Sequence, residues 1–123
     1  MHESRGLGDV YKRQGKFPLW LTPEQVIILP ISEKYQKYAE KVLSLLENSE
    51  IRALIDDRNE KTGRKIRDAE LNKIPFMIIV GEQEENDGTV SVRKQGEGDI
   101  GTLSNNEFIS FIKKEINSTL EQF

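Results

Sequence analysis

The densest chemistry in this sequence lies between Asp57 and Phe76, DRNEKTGRKIRDAELNKIPF. From Arg58 to Arg67 it holds five basic residues, Arg58, Lys61, Arg64, Lys65 and Arg67, against a single acid, Glu60, in a chain of formal net charge −3. A local positive stretch that opposes the global balance offers a contact surface for an anion or a nucleic acid. On charge alone, a solvated helix face is the commoner meaning of such a run.

Catalytic sets are missing. The chain has no cysteine, which excludes disulfides, thiolate metal sites and cysteine nucleophiles. Its one histidine is His2, so a histidine dyad or a multi-histidine zinc site is excluded too. Asp56-Asp57 and Glu84-Glu85 are neighbouring carboxylates, but without a third acid or metal spacing they read as solvated turn residues. No serine or threonine stands beside an evident base. Gly96, Gly98 and Gly101 (GEGDIG) spell GxGxxG, yet they follow a late strand and open no immediate helix, so the match is accidental. The chain does not read as a self-contained enzyme.

The elements that must position these residues follow from the apolar pattern. At 123 residues, with 36% hydrophobic and 32% charged residues, the chain suits one core with wet surfaces. Met1–Gln14 shows no period and reads as a disordered leader or a non-native segment; the domain then runs over 15–123. Gly15–Leu21, with the only tryptophan, Trp20, is a proline-interrupted strap expected to pack on the domain surface. Val26–Leu29 reads as a strand buried on both faces and ended by Pro30. Ser32 caps a helix whose apolar side is Tyr35, Tyr38, Ala39, Val42, Leu45 and Leu46. Ile51–Ile55 is a second strand, parallel to the first.

A loop from Arg58 to Lys61 leads to a helix from Thr62 or Gly63 to Lys73, with Ile66, Ala69, Leu71 and Ile74 on its apolar arc. Arg67 and Glu70 fall inside that arc and require partners or a ligand, because unpaired burial is costly. Phe76–Val80 is the third buried strand, Glu82–Gly88 an acidic turn, and Thr89–Lys94 an alternating strand that forms an antiparallel hairpin with the third. A flexible glycine-rich return brings a short fifth strand near Ile100–Leu103. Ser104 and Glu107 form a capping box, with Leu103 stapled against Phe108, and Phe108, Ile112, Ile116 and Leu120 make the buried stripe of the last helix. The order is that of a three-layer α/β domain with a mixed sheet.

In such a domain, ligands bind beyond the carboxyl ends of the parallel strands. Asn59 follows the second strand, Glu84 the third, and Arg93 faces away from Val90 and Val92. With Arg67 and Lys73 from the basic helix, these side chains are expected to meet along one rim. Arginine and asparagine donors with a glutamate acceptor suit base edges, and lysine and arginine hold phosphates, as single-stranded RNA requires. No apolar run approaches the roughly 20 residues of a membrane span, and no signal-peptide core is present, so a soluble cytoplasmic protein is expected.

Three stretches, FPLWLTPEQVIILPIS, IDDRNEKTGRKIRDAELNKIPFMIIVGEQE and GTVSVRKQGEGDIGTLS, resemble the C-terminal anticodon-binding domain of the threonyl-tRNA synthetase family. The resemblance runs from Gly15 to Phe123 and keeps motif order and spacing. Glycyl-, prolyl- and histidyl-tRNA synthetases share the fold with looser motifs. It implies an α/β/α architecture, a five-stranded mixed sheet with three helices, and a partner, the anticodon loop of threonine tRNA, read at its middle and third bases, G and U. By motif match, Asn59, Arg67, Glu84 and Arg93 are the implied anticodon contacts. Lys73 falls where relatives often carry arginine, so a phosphate contact is expected there in place of bidentate base pairing.

The same resemblance implies a class II catalytic domain upstream, a second partner, and Met1–Gln14 does not resemble it. Aminoacylation is therefore not expected of this chain alone. No cofactor is expected in it, since ATP and zinc belong to the catalytic domain; neither a membrane nor DNA is an expected partner. A monomer is expected, and the mild acidity implies weak, salt-sensitive RNA binding. The alternative is a protein-interaction or accessory domain of the same fold that has lost RNA binding.

Overall fold

The computed structural model describes the backbone of residues 24–121 and the side chains as far as residue 117. The expected leader, the strap at Gly15–Leu21 and the side chain of Leu120 lie outside the described residues. Among the described residues five strands form one sheet: β1 (Val26–Pro30), β2 (Ala53–Ile55), β3 (Phe76–Val80), β4 (Thr89–Lys94) and β5 (Gly98–Ser104). The described helices are α1 (Gln36–Asn48), α2 (Thr62–Leu71), the short α3 (Glu82–Asp87) and α4 (Asn105–Glu121), with a 3-10 turn at Glu33–Tyr35 leading into α1. The strand order is β2-β1-β3-β4-β5. β1 is parallel to β2 and β3, while β3–β4 and β4–β5 are antiparallel. The expected mixed α/β architecture is borne out.

Two cores separate three layers. Even positions of β1, β3 and β4 (Val26, Ile28, Phe76, Ile78, Val90, Val92) pack against Tyr38, Ala39, Val42 and Leu46 of α1 and against Phe108 and Ile112 of α4. Odd positions (Ile27, Leu29, Met77) face the other way, onto Ala69 of α2. That split is the period-2 geometry of a strand covered on both sides, and each large side chain so buried contributes about 1.5–3 kcal/mol. The ring of Phe111 on α4 meets that of Phe76 edge-on, centroids 5.4 Å apart.

The capping box at the start of α4 is present: Glu107 N donates to Ser104 Oγ at 3.2 Å, and Ser104 N to Glu107 Oε1 at 2.9 Å. The latter bond leads in holding the Glu107 carboxyl below its ordinary pKa.

Several expectations need correction. β2 is shorter than Ile51–Ile55, because Ile51 N donates to Leu46 O across Glu50 at φ 64, a left-handed exit that belongs to the end of α1. The acidic run after β3 is a helix, not a turn. Its glutamates favour a helix N-terminus, Glu84 Oε1 accepts from Gly81 N at 2.8 Å, and Gly88 ends it at φ 68. β5 is a seven-residue strand, longer than expected. The glycines of GEGDIG serve that hairpin: Glu97 N donates to Lys94 O around Gly96 at φ 82, where a side chain would be strained.

The largest revision concerns α2. It ends at Leu71, so Leu71 is 73% exposed and Ile74 no longer follows the helical wheel. The buried positions are Ala69 and, against expectation, Lys65. Arg67 is exposed and lies outside the buried arc, whereas Glu70 is half-buried and accepts from Gly96 N at 3.1 Å.

Candidate nucleic-acid interface

α2 has two unlike flanks. Toward β2, Arg58 bridges the loop and the helix, with Nε and Nη2 donating to the two oxygens of Asp56 at 2.9 and 2.8 Å and Nη2 also to Asp68 Oδ2 at 2.9 Å. Asp56 is 8% exposed, so it is not the solvated turn carboxylate that its sequence context suggests. Its pKa is lowered, first by the Arg58 hydrogen bonds, which outweigh burial. From below, Lys65 Nζ donates to Asp56 O at 2.9 Å and to Pro30 O at 3.5 Å, tying the carboxyl ends of β1 and β2 together. A groove of about 440 Å³ opens on this flank, between Leu54, Leu71 and Ile74 and the acids Asp56, Asp57 and Asp68. Its acidic rim suits phosphate poorly.

Toward β4, the surface is open. Ile79, Ser91 and Thr102 form one row across β3, β4 and β5 on the α2 side; the first two are half-buried and Thr102 is exposed. α1 and α4 cover the opposite face, and among the described elements no helix covers β4 and β5 on this one. Arg93 pairs with Met77, a member of the α2-side core, which puts its side chain on this open floor. Its Nε is buried without a hydrogen-bond partner. Asp99, opposite it on β5, directs Oδ1 to Gly101 N at 2.9 Å. A buried donor left unpaired costs about 1–3 kcal/mol, a cost that Arg93 Nε carries within the fold.

The other four residues do not converge on one rim with Arg93. Asn59 is exposed at the middle of a tight turn closed by Glu60 N donating to Arg58 O at 2.9 Å. Glu84 is half-buried at the carboxyl end of β3, with one oxygen committed to Gly81 N. Arg67 is exposed part-way along α2. Lys73 is exposed at φ 57, just past the end of α2 at the amino end of the sheet. Ile55, Ile28, Ile78 and Val92 lie in one row. Arg93 is therefore one residue below the end of β2 and three strands across, about 14 Å at roughly 4.8 Å per strand. Gly81 is four residues beyond Met77, about 13 Å up the strand at roughly 3.3 Å per residue. Asn59 and Glu84 thus mark the carboxyl end, Arg93 and Lys73 the amino end, and Arg67 the exposed side of α2 between them. The expected single rim is a surface running the length of α2.

Such a surface presents donors and acceptors at separated points, which fits a short unstacked strand with its bases splayed better than one compact ligand. Among the described residues no group of histidine, cysteine or acidic side chains is placed to hold a metal ion, and no helix is long and apolar enough to cross a membrane. Residues 25–115 match the family model described as the anticodon binding domain. The chain belongs to that family. This anticodon-binding domain is 60% identical over 109 residues to the threonine–tRNA ligase of Bacteroides fragilis and 62% identical over 111 residues to that of Flavobacterium johnsoniae. In each case 89% of the chain is matched, and it spans only 17% of the relative's length. Among solved structures it resembles the RNA binding domain of threonyl-tRNA synthetase from Cryptosporidium parvum Iowa II. The TM-score is 0.77 at 30% identity, over 83% of this chain and 26% of the other. The likeness to threonyl-tRNA synthetases expected from the sequence is borne out.

Two features of the domain escape a reading of the sequence. Lys65 reads there as one more member of a basic run, and Asp56 as half of an idle acidic pair. The only local signal is that Arg58 lies two residues after Asp56, close enough for its side chain to turn back on the carboxylate. Its second partner, Asp68, is ten residues on and comes within reach because α2 folds back beside the loop.

Proposed function

We propose that this domain reads the anticodon of threonine tRNA on behalf of a threonine–tRNA ligase, at the middle and third bases, G and U. The observation that carries the reading is the position of Arg93, half-buried on the α2-side face of β4 where no described helix lies over it. Arg93 and Asn59 donate to base edges, the free oxygen of Glu84 accepts from base N–H groups, and Arg67 and Lys73 hold phosphates. Aminoacylation, with its ATP and zinc, falls to the part of the ligase that this chain does not span. The negative net charge keeps affinity modest and salt-dependent.

NMR titration with a threonine anticodon stem-loop and with a middle-base-swapped control tests this directly. Shifts at Asn59, Arg67, Lys73, Glu84 and Arg93 with the cognate loop, and weaker ones with the control, are expected. Arg93→Ala should weaken cognate binding by roughly 1–3 kcal/mol and erase the difference between the two loops. A chain that produces no shifts with either RNA would instead be an accessory domain of this fold that has lost RNA binding.

A further inference from the structure

We propose that Arg58 is a positioning residue for Asn59, holding the β2–α2 turn in the shape that presents the Asn59 amide; the inference rests on the anticodon-reading function above. Asn59 is exposed and sits at the apex of a turn whose closure is Glu60 N donating to Arg58 O at 2.9 Å. An apex of this kind is free to wander unless its base is fixed. Arg58 fixes it at both ends. Its backbone N donates to Asp56 Oδ1 at 3.2 Å and its side chain grips both oxygens of the same carboxylate, so Asp56, Arg58 and the intervening Asp57 form one rigid bend. The bond from Nη2 to Asp68 then fastens that bend to the middle of α2.

Neither anchor can drift. Asp56 is buried, its own carbonyl is held by Lys65 Nζ, and its backbone N donates to Ile28 O. Asp68 immediately precedes Ala69, the buried contact of α2 with the sheet. The planar fork of arginine matches two carboxylates at once, which a lysine cannot do. Pre-setting the loop removes ordering cost from the binding step, so affinity is gained without any contact between Arg58 and the ligand. Arg58 is itself partly exposed, 48% at the side chain, and direct phosphate contact is the rival role that the test must separate.

The test is a double-mutant cycle in the full 123-residue chain, with Arg58→Ala, Asn59→Ala and both together, each titrated with the threonine anticodon stem-loop. Arg58→Ala should weaken binding about tenfold with Asn59 in place and have almost no further effect in the Asn59→Ala background. Effects that multiply, with an Arg58 contribution that fades as salt rises, would make Arg58 a phosphate contact and overturn the proposal. Amide hydrogen exchange in the free protein supplies an arm independent of RNA. Glu60 N–H should be protected in the parent chain and lose protection in Arg58→Ala, whereas equal protection in both would overturn the clamp. If the parent chain binds no stem-loop, the functional reading fails and exchange at Glu60 alone decides whether Arg58 holds the turn. Asp68→Ala, which removes only the outer acceptor, repeats both arms should Arg58→Ala unfold.

Discussion

The two flanks of α2 carry the same residue types and use them in opposite ways. On the β2 side, Arg58 is shared between Asp56 and Asp68, and Lys65 is committed to two backbone carbonyls. On the β4 side, Arg93 holds a buried, unpaired Nε, while Glu70 of α2 accepts from Gly96 N. Basic residues around one helix therefore divide into those that build the scaffold and those left over for a ligand. Charge density in the sequence does not separate the two groups; partners do. A cation whose hydrogen bonds are already met gains little from a phosphate or a base, whereas one that is desolvated and unmet gains the most.

If that division is right, damage to the β2 flank should appear as lost stability and damage to the β4 flank as lost binding. Lys65→Met is the severest test. It keeps the buried stem but leaves Asp56 O and Pro30 O without their donor, at an expected cost of about 2–3 kcal/mol in chemical unfolding. A stability loss below about 0.5 kcal/mol would mean that Lys65 is ornamental and the division false.

Acid titration sharpens the same point. The Asp56 carboxyl titrates below its ordinary value of 3.8 in the folded chain, chiefly through Arg58. The stability it contributes is complete above the unfolded value, about pH 4, and is lost as pH falls toward the folded value. The acid limb of the unfolding curve should flatten in Asp56→Asn, and an unchanged limb would assign acid sensitivity to other groups.

The regular parts of the fold are legible in the sequence because their burial is two-sided. VIIL and FMIIV fit only interior strands, TVSVRK alternates cleanly, and Ser104 with Glu107 marks the start of α4 by a local bond. What stays hidden depends on contacts far apart in the chain. A helical wheel puts Leu71 inside and Lys65 outside, but the helix stops at Leu71, and a lysine stem reaches the sheet because two strand ends offer carbonyls there. The site is legible in composition and not in layout. The loops after β2 and β3 do lie at one end of the sheet, yet the register Met77↔Arg93 is needed to show that Arg93 stands at the other.

That layout makes the smallest expected effect the most discriminating. Arg67 lies exposed on α2 between the two ends, whereas Arg93 is half-buried on the sheet. Arg67→Ala should leave stability within about 0.5 kcal/mol of the parent, as for most surface changes. Acting as a phosphate contact, it should weaken cognate and base-swapped stem-loops alike and lower the salt dependence of log K by about one unit. Arg93→Ala should do the reverse, removing discrimination while leaving most of the salt slope. Because Arg93 stands on the sheet and Arg67 on the exposed side of α2, stem-loop titrations at two salt concentrations on both variants give a fourfold pattern that a generic basic patch cannot produce. In such a patch both variants would lose affinity and salt slope together, and neither would change the ratio between the two RNAs.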